Sequence, residues 1–264
     1  MENFSYHRPT KVADAVKAMK KAKDGKYMSG GMTLLPTIKQ GLASPTDIVD
    51  LSGLKNAGVA VSAKSVTIKA GTAHADVATD KGVRKTIAAL AQLAGSIGDP
   101  HVRNRGTIGG SLANNDPAAD YPAAVLGLGA TVHTSDRKIP ADKFFTGMFA
   151  TALKANEIVT SVEFPLPAKA GYAKFPNPAS RYAMVGVFVA KMQDGAVRVA
   201  VTGAGPGVYR IAEMEAALAK DFSAKALSGI AAKAKGLNSD MHASAEYRAH
   251  LIAIMAKRAV EAAK

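Results

Sequence analysis

Gly95-Ser-Ile-Gly98-Asp-Pro-His101-Val-Arg103-Asn-Arg105-Gly106-Thr-Ile-Gly109-Gly110-Ser-Leu-Ala-Asn-Asn115-Asp-Pro-Ala-Ala-Asp120 is the stretch that decides the fold. Five glycines fall in its first sixteen residues. Glycine is needed where the backbone takes positive φ or where another group approaches closely. Thr107, Ser111, Asn114, Asp116 and Asp120 are interleaved with or follow these glycines. No amphipathic period explains such a run, whereas a loop wrapped around a phosphorylated or sugar-bearing ligand would.

A second run of this kind lies upstream: Ser29-Gly30-Gly31-Met32-Thr33-Leu34-Leu35-Pro36. A short strand around Lys26 to Ser29 leads into paired glycines, a turn that exposes successive backbone N–H groups and so makes an anion nest. No Gly-Lys-Ser/Thr follows, so it is not a Walker A loop, and the Rossmann spacing of glycines is absent. Two glycine-rich, hydroxyl-bearing loops can embrace the two phosphates of a dinucleotide from opposite sides.

Around these loops the chain reads as alternating helices and strands. Thr10 to Ala22 predicts a helix, with Val12, Ala15, Val16 and Met19 on one face and Pro9-Thr10 as its start signal. Asp47–Leu51 and Ser65–Ala70 predict strands, and His74–Asp80 and Arg84–Ala94 predict helices. Tyr121–Leu128 reads as a buried helix, Ala130–Thr134 and Glu157–Phe164 as strands. The Pro, Gly and Ala content of Pro165 to Pro178 marks a linker and a domain boundary. Beyond it, Met184–Met192 and Ala196–Thr202 are apolar, β-branched runs flanking Asp194-Gly195, a hairpin signal. Gly203-Ala-Gly205-Pro-Gly207 reads as a strand-ending loop, not a dinucleotide motif. Ile211–Lys220, Ala224–Lys235 and Ala245–Ala263 predict helices.

Composition narrows the function. At 264 residues two domains sharing an interface are expected. No run approaches the roughly 20 apolar residues of a membrane span, and Met1-Glu2-Asn3 lacks the features of a signal peptide, so a cytoplasmic protein is expected. The chain has no cysteine, which removes disulfides, thiolate nucleophiles and iron–sulfur ligation. Its net charge of +13 fits either an anionic partner or a lysine-rich solvated surface. Aromatics make up 6% and do not interleave with basic residues, which argues against nucleic acid binding. His7, His74, His101, His133, His242 and His250 show no metal-ligand spacing, and no nucleophile elbow occurs. Neither a catalytic residue nor a metal ligand set is assigned; with so little acid/base equipment, a bound cofactor would carry the chemistry.

These two loops, with Leu42-Ala-Ser-Pro45 and Ile48-Val-Asp50-Leu after the first and Asp116-Pro-Ala-Ala-Asp120 closing the second, closely resemble the flavin loops of the FAD-binding medium subunits of the molybdenum hydroxylase family, the carbon monoxide dehydrogenase and xanthine dehydrogenase type. The resemblance runs across the whole chain. It implies an α+β fold: a two-lobed FAD-binding domain of the PCMH or vanillyl-alcohol-oxidase type over residues 1–168 (lobes about 1–53 and 54–168), then a C-terminal domain over 169–264 with a three-stranded antiparallel sheet and helices. It implies non-covalent FAD on this chain, and molybdopterin and [2Fe–2S] clusters on a large and a small partner subunit, assembled as a dimer of heterotrimers. Ser29, Gly30, Gly31, Met32 and Thr33 match the family positions that meet the pyrophosphate, mainly through backbone N–H groups. Thr107, Gly109, Gly110, Ser111 and Asn114 match the second loop, and Asp120 the acidic residue that holds the ribose. Ile97 and Gly98 lie where the family's backbone approaches the flavin ring, and Lys174 matches a family lysine near it. Here the Phe175-Pro-Asn-Pro178 segment is less basic than in some relatives. The implied function is to carry electrons from the partner's clusters through FAD to an external acceptor. A stand-alone flavin oxidase of a small substrate and an FAD-free structural subunit are the alternatives.

Overall fold

A computed structural model describes residues 3–264; Met1 and Glu2, the start of the expected first domain, lie outside the described residues. The first lobe is a three-stranded parallel sheet. Strand β1 (Ser5–His7), helix α1 (Val12–Lys21), strand β2 (Gly25–Met28), helix α2 (Leu34–Lys39) and strand β3 (Asp47–Asp50) follow in order, with β3 central between β1 and β2. Ala15 and Met19 of α1 are buried with Val49 and Ile158, as the apolar stripe predicts. Thr10 does not cap α1; Lys11 stands at the N-cap position without a side-chain bond. A 3-10 turn, Leu51–Leu54, ends the lobe.

The second lobe is an antiparallel sheet covered by helices. It adds β4 (Val59–Val61), β5 (Ser65–Lys69), α3 (His74–Thr79), α4 (Lys81–Thr86), α5 (Ala88–Gly95), α6 (Pro100–Arg105), α7 (Ile108–Asn114) and α8 (Tyr121–Gly127). Then come β6 (Thr131–Thr134), β7 (Lys138–Pro140), α9 (Ala141–Phe144), a small hairpin of β8 (Phe145–Gly147) and β9 (Ala150–Thr151), and β10 (Val159–Pro165). The sheet order is β4-β5-β10-β6-β7. The predicted Arg84–Ala94 helix is two helices, because Ile87 leaves helical geometry at φ −139° and ψ 69° and turns its buried side chain into the core. All seven residues of α8 are buried.

The C-terminal sheet corrects the expected linker. Residues Pro167–Pro176 form strand β11, paired antiparallel with β12 (Ala183–Met192), which pairs with β13 (Val197–Thr202). A two-residue β14 (Tyr209–Arg210) makes this a four-stranded sheet where three strands were expected. Gly171 is what admits β11 here: a Cβ on it would overlap the Ala259 carbonyl of helix α11 (Ala245–Glu261). The β12–β13 hairpin turns at Asp194-Gly195, with Gly195 at φ +87°. Helix α10 (Ala212–Lys220) forms as read, but the predicted Ala224–Lys235 helix is only a 3-10 turn, Ala224–Leu227, ended before Gly229 at φ +83°.

Side chains alternate across a strand, and this sheet uses both faces. Ala170, Tyr172, Phe188, Ala190 and Ala200 join the core of the second lobe. Val185, Val187, Val189, Val197, Val199 and Val201 join a separate core under α10 and α11. One face of the C-terminal sheet therefore shares the interior of the second lobe, and its other face closes a core of its own.

Candidate functional site

Both glycine loops line one cleft of about 1150 Å³. Residues Ser29 to Thr33 leave β2 at its C-terminal end, with Gly31 at φ +74°. Among the described residues no protein acceptor takes the backbone N–H of Gly30, Gly31, Met32 or Thr33. Four successive unpartnered donors on a cleft wall make an anion-binding nest.

The second loop packs directly on the first. A Cβ on Gly30 would overlap the Arg105 carbonyl, so the glycine permits backbone-to-backbone contact. The Ser29 and Thr107 hydroxyls share a hydrogen bond of 2.8 Å. The first amides of α7 are committed within the protein: Ile108 N–H donates to Thr72 O, Gly109 N–H to Ala70 O, and Gly110 N–H to Thr107 Oγ1. Gly109 lies on β5's end, where a Cβ would stand 2.5 Å from that of Ala70. The second loop therefore presents to the cleft a smooth glycine surface with Ser111 and Asn114, while the free amides belong to the first loop.

The remaining predicted residues converge where the two domains meet. Asp120 is buried, and one oxygen, Oδ1, accepts from Tyr172 Oη at 2.5 Å and lies 2.9 Å from Lys174 Nζ. Tyr172 and Lys174 stand two apart on β11, so both project to the same face. Among the described residues no side chain bonds to Oδ2, and Asp120 lines the cleft. Burial pushes the Asp120 carboxyl up from its ordinary value, against the pull of the Lys174 ammonium and the Tyr172 hydroxyl. Burial, with the Asp120 charge beside it, pushes the Tyr172 hydroxyl well above its ordinary range.

Lys174 also donates to Ser96 O at 2.8 Å and Arg181 O at 3.1 Å, which uses all three of its protons. It is not a wall of the cleft. Arg103 donates to Ile97 O and Gly98 O. Two cations thus hold the carbonyls of Ser96, Ile97 and Gly98 in turn, and Ile97 and Gly98 face the cleft with Gly98 at φ +47°. Arg103 accordingly serves the loop's own packing. Asp99 caps α6 and Asp116 caps the turn at Ala118, roles expected of aspartate in such loops.

Several residues in or behind the cleft wall carry no signal in the sequence. Tyr182 reaches the cleft mouth on a segment where Ser180 and Arg181 both take positive φ, and its hydroxyl accepts from Asn177 Nδ2. Tyr172 was hidden by the linker reading, although its spacing from Lys174 is that of a strand. His74 lines the cleft with its ring 5.3 Å from that of Tyr121 and its Nδ1 unpartnered. Burial, with help from Arg103, lowers its pKa to about 4. Among the described residues no group of three or more His, Cys, Asp or Glu could hold a metal ion, and no helix is long and apolar enough to cross a membrane.

Comparison with known proteins agrees along the whole length. Residues 2–167 match the family described as FAD binding domain in molybdopterin dehydrogenase. Residues 170–263 match the CO dehydrogenase flavoprotein C-terminal domain. The chain is 32% identical to the nicotine 6-hydroxylase medium subunit of Paenarthrobacter nicotinovorans, covering 97% of this chain and 95% of that one. It is 31% identical to the carbon monoxide dehydrogenase medium chain of Hydrogenophaga pseudoflava, covering 98% and 96%. Among solved structures, a carbon monoxide dehydrogenase from Hydrogenophaga pseudoflava superposes with a TM-score of 0.86 at 30% identity over 99% of this chain and 97% of that one. Quinoline 2-oxidoreductase from Pseudomonas putida 86 superposes with a TM-score of 0.88 at 28% identity, with the same coverage.

Proposed function

The chain belongs to the FAD-binding medium subunits of the molybdenum hydroxylase family, oxidoreductase subunits that work beside large and small partners, and from this premise we propose that it is the electron-carrying link of such a complex. Bound FAD would supply the redox chemistry, taking electrons from [2Fe–2S] clusters of the small subunit and releasing them to an external acceptor.

The observation that carries this is the row of unpartnered amides from Gly30 to Thr33, faced across one cleft by the second glycine loop. A diphosphate fits that row, since its oxygens accept what the protein leaves unpaired. Asp120 offers Oδ2 to a ribose hydroxyl, with its other oxygen held by Tyr172 and Lys174. Ile97 and Gly98, their carbonyls drawn back by Arg103, would bound the flavin ring. Every contact is non-covalent, and no side chain on this chain need act as nucleophile or base. The substrate would be oxidised on the large subunit, in a cytoplasmic dimer of heterotrimers.

The test is direct. Purified protein given FAD should retain it with the flavin absorbance bands, and Asp120→Ala should weaken retention by about 1.5–3 kcal/mol, the worth of hydrogen bonds to a charged group. Co-expression should recover a cysteine-rich small chain and a molybdenum-bearing large chain at twice the mass of one heterotrimer. A protein that never takes up flavin, or an isolated chain that oxidises a small alcohol unaided, would show the assignment to be wrong.

A further inference from the structure

The segment that delivers Asp120 to the cleft is held from the far side by the C-terminal domain. Asp116, Ala118, Ala119 and Asp120 line the cleft, and residues 116–120 make no regular secondary structure. The carbonyls of Pro117, Ala118 and Ala119 meet the ends of β12 and β13. Gly203 N–H donates to Pro117 O at 2.8 Å and Ala183 N–H to Ala118 O at 3.3 Å. The buried Thr202 hydroxyl lies 3.2 Å from Pro117 O and 2.6 Å from Ala119 O. Three consecutive carbonyls are thus gripped by one strand pair.

That strand pair is itself set by a buried cation. Arg248 of α11 is 3% exposed and donates through Nη1 to Met184 O at 2.8 Å and Gly203 O at 3.1 Å. Its Nη2 pairs with Asp240 at 2.7 Å, at the protein surface. Gly203 takes φ +81°, and a Cβ there would strike the Ala183 carbonyl, so the two strand ends are in backbone contact. A guanidinium fixed on the carbonyls of Met184 and Gly203 orients the neighbouring peptide units. Their amides then aim at the cleft segment.

We propose that Arg248 and Thr202 are positioning residues for the cofactor. They touch no part of the cleft, but they fix the path of residues Pro117 to Ala119 and so the placement of the Asp120 carboxylate that the ribose would meet. This rests on the FAD assignment above. FAD affinity is therefore controlled from the C-terminal domain, through backbone hydrogen bonds, with no change of any group in contact with FAD.

The experiment measures FAD Kd by equilibrium ultrafiltration, with melting temperature, on the full chain and four variants. Thr202→Val keeps the shape and removes the hydroxyl; it should raise Kd roughly fivefold, the effect of one net hydrogen bond. Thr202→Ser keeps the hydroxyl and should bind like the parent. Arg248→Met should raise Kd more than about tenfold, since both carbonyls and the strand ends are released. Asp240→Asn weakens only the surface end of the Arg248 pairing; it should lower the melting temperature and leave Kd unchanged. Thr202→Val and Arg248→Met proteins that melt early but bind FAD like the parent would overturn the positioning role and leave the FAD assignment standing. A parent chain that binds no FAD would overturn the assignment and this inference together. Should Arg248→Met fail to fold, the Thr202 pair still decides the matter.

Discussion

Acidification should destabilise this protein through His74. The imidazole is 5% exposed, lies against Tyr121 and the backbone of Gly106, and has no partner for Nδ1. Burial and the nearby Arg103 charge lower its pKa from the ordinary 6.5 to about 4. The unfolded chain therefore takes the proton first. His74's contribution is complete above the unfolded value and is lost as pH falls towards and through the folded one. The full loss is about 3 kcal/mol, of which about 2 kcal/mol falls between about pH 7 and about pH 5. Glu157 acts elsewhere on the scale: burial raises its carboxyl, but bonds from Arg137, Thr134 and the Lys154 amide outweigh this and hold it at about 2. Its contribution is complete above its ordinary value of 4.5 and is lost as pH falls from there through about 2. Urea unfolding across this interval, for the parent and for His74→Gln, isolates the histidine as the difference in slope. The two proteins should diverge steadily, with His74→Gln the flatter. Parallel slopes would refute a neutral buried His74.

Further substitutions probe the loops and the groups behind them. Gly30→Ala drives a methyl group into the Arg105 carbonyl and should force the loops apart, lowering stability by about 1–3 kcal/mol and abolishing FAD retention; a melting temperature equal to the parent's would contradict the backbone contact. Lys174→Met leaves the Asp120 carboxylate buried without its cation and should cost about 3–5 kcal/mol, part of which Asp120→Asn should restore in the double variant. Strictly additive denaturation energies would show that the pair is not coupled. Asn115 sits at φ +44° and donates to Gly147 O and Ala150 O, so Asn115→Ala should cost about 1–3 kcal/mol and speed amide exchange in residues 145–151. Asn115→Gly separates the two causes, since it keeps the conformation and loses only the bonds.

Where the sequence pattern reflects local chemistry, it was readable. The Asp194-Gly195 turn, the helix over Ala245–Glu261 and the two glycine loops announce themselves by φ demands and periodicity. The family followed from the loops. Strand β11 did not show because its glycine and alanines answer to a partner far away: Gly171 exists for α11, and Tyr172 for Asp120. The helix predicted over Ala224–Lys235 failed for the opposite reason. Its alanines and lysines favour helix, but Gly229 breaks it and only Leu227 gives that turn a buried anchor. The site's reach into the C-terminal domain was illegible for the same cause as β11. Arg248, Thr202 and Tyr182 lie on strands, helices and loops whose one-dimensional pattern records burial but not the carbonyl or hydroxyl each will meet.

The shared interior also governs how the protein is made. Helix α8 is fully buried, yet part of its cover is Phe188, Ala190 and Ala200 of the C-terminal sheet. On the ribosome, the first two lobes emerge with that face uncovered. The nascent chain must extend past Ala200 before water is excluded from it. Domain-by-domain folding during synthesis is thus interrupted at its second step, and a message truncated after the first domain would yield a sticky intermediate for chaperones. The lining of the cleft ends at Tyr182 and the cover of α8 at Ala200, so the cofactor site and the core that supports it close within one short stretch of synthesis.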